Sequence, residues 1–239
     1  MHQNSQASFV STFPFHIDKR LILILYYIPL LMYLSMPITA LGLVSIKLNS
    51  NILGWFLSIS SVMIFLILLI HSRWLIESNW LIFGVAFLSG YMLEYSLVNI
   101  LKKYTYHNLP LAVLGIPLLI PLGWSSAFYA TSYTSKLFIN KLKLKDSKLI
   151  TYLFICGLGM LYGFFLEKLA ASKELWDFHF TSTDIFGVPI LATSAWGLTL
   201  ANFDLGMTLI QEKRYSVILL IVTVFLLNLL VAFVLLHFL

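Results

Sequence analysis

Two glutamates are the residues of this sequence best placed to do chemistry, because each lies in a long apolar stretch. Glu94 ends the segment Gly90–Glu94 (GYMLE), and Glu167 ends the closely similar segment Gly163–Glu167 (GFFLE). Carboxyl groups are costly in lipid and usually mark functional positions there. An apolar site favours the neutral form of a carboxyl group, which can donate a proton to a ligand. The pair therefore predicts general acid–base chemistry within a membrane.

Aromatic side chains accompany both glutamates and could provide the walls of a cavity. An aromatic face near a cation stabilises it by about 0.5–2 kcal/mol, so a carboxylic acid beside such faces suits protonation of an alkene. We predict that Glu94 and Glu167 are catalytic; hydrogen bonding between helices is the alternative role. The predicted substrate-binding residues are Tyr91, Tyr95, Tyr104, Tyr106, His107, Trp124, Trp176, His179, Trp196 and Asp204.

A metal site is another arrangement that these residue types allow. Glu94, Glu167, His107 and His179 carry suitable ligand groups. However, the histidines follow the glutamates beyond the predicted helix ends, and no short spacing such as His-x-x-x-His occurs. The sequence also lacks a phosphate loop, a dinucleotide fingerprint and a haem motif. We therefore predict no metal and no cofactor.

The spacing of the candidate residues indicates an internal repeat. The segment 115–117 (GIP) with Trp124 recurs at a nearly constant offset as 187–189 (GVP) with Trp196, and the glutamates and histidines recur with them. Each copy contains two helices and their joining loop, so the copies share one orientation and are related by an axis along the membrane normal. The two glutamates are then expected to face a shared interior.

Several prolines and loops give more local expectations. Proline is tolerated in the first turn of a helix, so each Gly-x-Pro predicts a helix start. Pro121 predicts a further opening of the fourth span. Both glutamates lie near the outer ends of their spans, beneath a lid formed by the loops at 102–108 and 171–184. Asn228 is expected to hydrogen-bond to another helix.

The composition is that of a polytopic membrane protein. Hydrophobic residues make up 60% of the chain and charged residues 10%, with a mean hydropathy of +0.92, whereas soluble domains carry about 25% charged residues. A membrane span needs about 20 apolar residues. We predict one all-α transmembrane domain, residues 1–239, with repeat copies at about 80–135 and 149–210. The seven predicted spans are roughly 21–46, 51–71, 80–101, 109–135, 149–170, 185–210 and 215–239.

Positive residues between the spans predict orientation and partners. Most of the 15 Lys and Arg residues fall in loops on one side, which places the N-terminus in the cytoplasm of a protein of the cell (inner) membrane. The Lys-rich loop at 136–148 suits anionic lipid headgroups. Because the charges lie between spans rather than along one face, we predict the lipid bilayer as a partner and no nucleic acid.

One stretch of the sequence resembles a known family. The segment Leu114–Trp124 (LGIPLLIPLGW), preceded by Tyr104–Tyr106 and Glu94, resembles the carotenoid biosynthesis membrane-protein family, which includes carotenoid 1,2-hydratases and the bisanhydrobacterioruberin hydratase. The segment Phe186–Pro189 with Trp196 is similar to the family's second signature. The resemblance implies a cofactor-independent hydratase that adds water to the terminal 1,2 double bond of an acyclic, lycopene-type carotenoid.

The mechanism expected from this resemblance uses both carboxyl groups. One glutamate protonates the alkene, aromatic faces hold the tertiary cation, and water attacks with the other glutamate as base; either Glu94 or Glu167 can fill either role. Two alternatives remain open. One is a proton-coupled membrane transporter, in which paired acids bind and release protons, and the other is a non-catalytic carotenoid-binding membrane protein.

Overall fold

The protein is mostly helical. The computed structural model describes residues 25–75, 81–144, 147–179, 183–213, 219 and 222–230. The start of the first predicted span and most of the seventh lie outside these residues, although 222–230 are helical. The principal helices are α1 (Ile28–Ser45), α2 (Ser50–Leu75), α3 (Leu81–Tyr95), α4 (Leu119–Lys141), α5 (Lys148–Ser172) and α6 (Ile190–Lys213), and a π-helical turn (Ser96–Ile100) continues α3.

Within the described residues, four helices are long and apolar enough to cross a membrane. They comprise Ile28–Ser45, Ser50–Ser72, Ile82–Ile100 and Lys148–Ser172. These helices correspond to four of the seven predicted spans. The helix α4 is less apolar because it buries many hydroxyl groups against its neighbours instead of facing lipid. Its buried Ser and Thr residues are Ser125, Ser126, Thr131, Ser132, Thr134 and Ser135.

The structure contains short strands, although the fold was predicted to be all-α. Strand β1 (Tyr104–Tyr106) pairs antiparallel with β4 (Trp176–Phe178), which joins the two predicted lid loops. Two hairpins precede α4 and α6. They pair β2 (Ala112–Val113) with β3 (Ile116–Pro117), and β5 (Asp184–Ile185) with β6 (Val188–Pro189).

These hairpins correct the predicted boundaries of two spans. The helix expected from residue 109 begins at Leu119, and the one expected from 185 begins at Ile190. Gly115 has φ +80° and Gly187 has φ +75°, a left-handed conformation that suits a turn and that glycine adopts without strain. Each Gly-x-Pro therefore closes a hairpin, and its proline lies in a strand rather than in the first helical turn.

Pro121 does not open the backbone as expected. It lies in the first turn of α4, where the missing N–H would have no helical partner in any case. Its carbonyl oxygen accepts a hydrogen bond from Ser125 Oγ at 3.0 Å. The helix therefore continues from this end without a break.

Close packing of α5 against α6 positions the second half of the site. A Cβ atom added at Gly197 would lie 2.5 Å from the carbonyl oxygen of Cys156, and one added at Gly159 would lie 3.0 Å from Gly197 Cα. Glycine at both positions allows the two backbones to approach closely. This approach brings Trp196 of α6 against Gly163 of α5.

Candidate functional site

The carboxyl group of Glu94 is buried and accepts three hydrogen bonds. Its side chain, in the last turn of α3, is 4% exposed. Trp124 Nε1 donates to Oε1 at 2.7 Å, while Oε2 accepts from the hydroxyl of Tyr106 at 2.6 Å and from that of Tyr104. Residues from α3, α4 and β1 thus hold one carboxyl group in a fixed orientation.

The carboxyl group of Glu167 has a corresponding environment. The residue is 5% exposed and lies on α5. Trp196 Nε1 donates to Oε1 at 2.8 Å, and Trp176 Nε1 donates to Oε2 at 2.9 Å. Indole N–H groups only donate, so each oxygen of Glu167 acts as an acceptor.

The two environments differ by one hydroxyl group. In the aligned segments Tyr104–His107 (YTYH) and Trp176–His179 (WDFH), Phe178 takes the position of Tyr106. Phenylalanine has no donor, so Glu94 has three partners and Glu167 two. The sequence difference between the copies therefore makes the two carboxyl groups chemically unequal.

The ribbon of β1 and β4 separates an inner face from an outer face. Side chains alternate along a strand, and Tyr104, Tyr106, Trp176 and Phe178 all line the cavity that contains the glutamates. The outer face carries polar side chains: His107 Nε2 lies 3.0 Å from Asp177 Oδ2, and Thr105 Oγ1 lies 3.2 Å from His179 Nε2. The inner face of the ribbon is thus lined by aromatic and phenolic side chains, and its outer face is hydrophilic.

Two stacked indoles connect the halves of the site. The ring centroids of Trp124 and Trp196 are 3.8 Å apart, with an interplanar angle of 20°. Gly90 and Gly163 lie against these two tryptophans, where a Cβ would approach the indole side chains to 3.0 Å and 2.5 Å respectively. Each of these glycines lies one helical turn before a glutamate. It therefore makes room for the indole that holds the carboxyl group of that glutamate.

Glu94 and Glu167 line one cavity of about 90 Å³. Most of its other walls are apolar or aromatic side chains, so a ligand that enters it leaves water. The lining residues are Leu93, Glu94, Leu97, Lys103, Tyr104, Tyr106, Ile120, Trp124, Glu167, Trp176, Phe178, Leu191, Ala192, Ala195, Trp196, Thr199 and Asn228. We call this space the acid cavity.

Five of the predicted substrate-binding residues line the acid cavity and five do not. Those in the lining are Tyr104, Tyr106, Trp124, Trp176 and Trp196. Of the others, Tyr91 donates from its hydroxyl to the Val113 carbonyl at 2.9 Å, Tyr95 is exposed, and His107 and His179 lie on the outer face of the ribbon.

Asp204, the remaining predicted substrate-binding residue, also lies outside the acid cavity. It lines a separate cavity of about 310 Å³, together with Lys136 and Tyr152. Its Oδ1 accepts a hydrogen bond from Ser132 Oγ at 3.0 Å and lies 3.6 Å from Lys136 Nζ. Its charge is therefore balanced within this second, more polar space.

Some lining residues were missed at the sequence level. Thr199 lies three residues after Trp196, so helical spacing could have placed it on the same face. Lys103 gave no such signal. Asn228 does hydrogen-bond to another helix, since its Oδ1 accepts from Asn202 Nδ2 at 3.2 Å, but its position in the cavity lining was not anticipated.

Among the described residues, no three His, Cys, Asp or Glu side chains form a group able to hold a metal ion.

The free energy of unfolding is expected to decrease above pH 10. Burial, reinforced by the adjacent Glu94 carboxyl, raises the pKa of both Tyr104 and Tyr106 well above the ordinary tyrosine value. As pH rises through about 10, the unfolded chain loses these protons and the folded protein keeps them. The stability is thus complete below pH 10 and declines above it, by up to about 1.4 kcal/mol per pH unit for each tyrosine.

Thermal unfolding in detergent between pH 8 and 11 would measure this effect. The double variant Tyr104→Phe, Tyr106→Phe should show a shallower pH dependence than wild type. The variant Tyr95→Phe, at an exposed position, serves as the control and should keep the wild-type dependence. Equal slopes for the double variant and wild type would contradict the assignment.

Comparison with protein-family models, with curated proteins and with solved structures finds no match to this chain. The geometry of the acid cavity is therefore the basis on which a function is proposed.

Proposed function

We propose that this protein is a membrane-embedded hydratase that adds water to the terminal double bond of an acyclic, lycopene-type carotenoid. The observation that carries the proposal is the presence of two buried carboxyl groups, Glu94 and Glu167, in one largely apolar cavity. Acid–base chemistry on a hydrocarbon needs both features. The apolar walls bind a substrate that has no polar group, and the carboxyl groups transfer the protons. The resemblance of Leu114–Trp124 to carotenoid hydratases points to the same reaction.

The reaction balances without an oxidant or cofactor. One carboxylic acid transfers its proton to C2 of the terminal double bond, which leaves the positive charge on the tertiary carbon C1. The oxygen of water forms a bond to C1, and a proton of that water passes to the second carboxylate. The net change is the addition of one water molecule, and the two carboxyl groups exchange protonation states in the cycle.

The walls of the cavity suit a cation of this kind. The π-faces of aromatic rings attract positive charge, and the stacked pair Trp124 and Trp196 lines the cavity beside both carboxyl groups. The same indoles hold Glu94 Oε1 and Glu167 Oε1. Positioned in this way, the acids need little reorganisation when charge develops, which is the condition for electrostatic catalysis.

The size of the acid cavity favours insertion of an end group only. Its volume of about 90 Å³ is smaller than the roughly 300–1,000 Å³ of pockets that enclose whole drug-sized ligands. A carotenoid would place its terminal isoprene unit between the carboxyl groups and leave the rest of its chain in lipid. This arrangement matches a reaction at the end of a long hydrocarbon.

The membrane arrangement proposed with this function has seven spans and a two-helix repeat. The helices α4 and α6 contain 23 and 24 residues, which at about 1.5 Å per residue is enough to cross the hydrocarbon core. Matching Trp–Glu hydrogen bonds in the two copies support an axis along the membrane normal. The N-terminus is proposed to be cytoplasmic, in the cell membrane.

A proton-coupled carrier is the rival function, and one observation favours it. Tyr152, which lines the cavity of Asp204, donates to Asn202 Oδ1 at 3.1 Å, and Asn202 donates to Asn228 of the acid cavity at 3.2 Å. A polar chain thus joins the two cavities. A carrier would show pH-dependent solute flux across vesicles and would leave carotenoids unchanged.

Pigment analysis distinguishes these functions. We expect a host that makes lycopene-type carotenoids to accumulate a new tertiary alcohol, heavier by one water molecule, when this chain is expressed. A matched strain that expresses the double variant Glu94→Gln, Glu167→Gln should keep the parent pigment. Unchanged pigment with wild-type protein present in the membrane would contradict the hydratase.

A further inference from the structure

Asn228 has a buried hydrogen-bond donor that finds no acceptor among the residues the structure describes. The residue is 1% exposed, its Oδ1 accepts from Asn202 Nδ2 at 3.2 Å, and its Nδ2 has no acceptor in the described part of the chain. Buried amide donors are nearly always paired, because an unpaired donor loses its hydrogen bond to water and gains nothing. Nδ2 is therefore open to an acceptor carried by a ligand that enters the acid cavity.

The neighbouring side chains determine which end of the Asn228 amide remains available. The Tyr152 hydroxyl donates to Asn202 Oδ1, so Asn202 directs its own Nδ2 to Asn228 Oδ1. The amide oxygen of Asn228 is thereby occupied, and the polar group left for a ligand is the Nδ2 amine. This chain of hydrogen bonds makes Asn228 a donor towards any ligand.

The position of Asn228 in the protein indicates which ligand would accept a hydrogen bond from its Nδ2. It lines the acid cavity with Glu94 and Glu167. Of the buried polar side-chain atoms without a partner in the described part of the chain, Asn228 Nδ2 is the one that belongs to a residue of this lining. The carboxyl oxygens of both glutamates already accept hydrogen bonds from indole or phenol groups.

We propose that Asn228 Nδ2 donates a hydrogen bond to the oxygen atom that hydration adds, in water before the reaction and in the tertiary hydroxyl group after it. This inference rests on the proposed function. A hydrocarbon end group has no lone pair for an N–H donor, whereas water and a tertiary alcohol each have two. One lone pair of the water accepts from Asn228, the other forms the bond to C1, and the released proton passes to a glutamate carboxylate.

Equilibrium binding to protein reconstituted in nanodiscs tests this contact without catalysis. The probes are a saturated acyclic isoprenoid hydrocarbon and the same chain with a tertiary hydroxyl group at its branched end. Neither has a double bond that could be hydrated. We expect the wild type to bind the alcohol about tenfold more tightly, as one net hydrogen bond allows.

Variants identify the donor. Asn228→Leu and Asn228→Ala should each lose the preference for the alcohol over the hydrocarbon, and measurable hydrocarbon binding shows that the variant is folded. Ser89→Ala removes a buried hydroxyl group that has no partner among the described residues and lies outside the cavity lining, and this variant should keep the tenfold preference.

Each other outcome is decisive. Equal affinity of the wild type for the two probes would overturn the role of Asn228 and leave the proposed function intact, whatever the variants do. A preference retained in Asn228→Leu or Asn228→Ala would also overturn it. Failure of the wild type to bind either probe would instead reject the isoprenoid site, and this inference with it.

Discussion

Replacement of either Glu94 or Glu167 by Gln is expected to lower the proposed carotenoid hydration rate by about 10²–10⁴-fold, the usual contribution of a general acid or base. Glutamine keeps the size of the side chain and one acceptor oxygen but does not transfer a proton. At Glu167 the amide has a further effect, because both carboxyl oxygens accept indole N–H groups. One of these donors must lose its acceptor, so this variant should also be less stable.

The design of this experiment separates chemistry from folding. Single-turnover rates are compared at equal amounts of folded protein, with Glu174→Gln as the control, since Glu174 is exposed and lies outside the cavity lining. The double variant should lose little more than the worse single variant, because the two groups act in one cycle. Wild-type rates in both single variants would refute the catalytic assignment.

Gly163→Ala is expected to destabilise the protein by about 1–3 kcal/mol, the range for overpacking of a core. The added Cβ would lie 2.5 Å from Trp196 Cβ and Cγ, so the indole that holds Glu167 must move. At the equivalent Gly90 the nearest atom, Trp124 Cβ, is 3.0 Å away, and Gly90→Ala should cost less. Alanine itself is favoured over glycine in a helix by roughly 1 kcal/mol, and the expected destabilisation of both variants already includes this opposing contribution.

Unfolding in detergent, followed by tryptophan fluorescence, measures the order of these variants. Gly157→Ala on the same helix is the matched control, since nothing lies within 4 Å of its added Cβ, and it should be neutral or slightly stabilising. We also expect Gly163→Ala to lower the hydration rate through displacement of Trp196. Stability equal to that of Gly157→Ala would show that the contact between Gly163 and Trp196 is not tight in the protein.

The sequence predicted the centre of the candidate site better than its boundaries. Glu94 and Glu167 stand out because carboxyl groups are rare in apolar stretches, and the recurrence of tryptophan after each Gly-x-Pro indicated which aromatic residues accompany them. The indole–carboxyl hydrogen bonds follow from that pairing. Helical spacing was sufficient here, because each glutamate and tryptophan belongs to a continuous helix.

The ribbon and hairpins could not be predicted in the same way. Strands of two or three residues are too short for an alternating pattern to be recognised, and the pairing of β1 with β4 joins segments far apart in sequence. Without that register, nothing indicated that Tyr104 and Tyr106 face inwards while His107 and His179 face outwards. The apolar residues before Gly115 also resembled helix, so the turn was missed.

Asp204 was predicted to bind substrate together with Trp196, but the two residues line different cavities. It lies eight residues after Trp196, which is about 12 Å along the helix axis. This distance along α6 places the two residues in different cavities, and Asp204 instead meets Ser132 and Lys136 of α4. Only the packing of α4 against α6 determines that partnership.

Labelled water gives the most direct test of the proposed hydratase activity. Purified protein in lipid vesicles that contain lycopene is incubated in water enriched in oxygen-18, and the pigment is analysed by mass spectrometry. We expect a product that is heavier by one labelled water molecule, with the label at the tertiary carbon, and we expect no such product with the Glu94→Gln, Glu167→Gln variant. Unlabelled, unchanged lycopene in the presence of folded wild-type protein would contradict that activity.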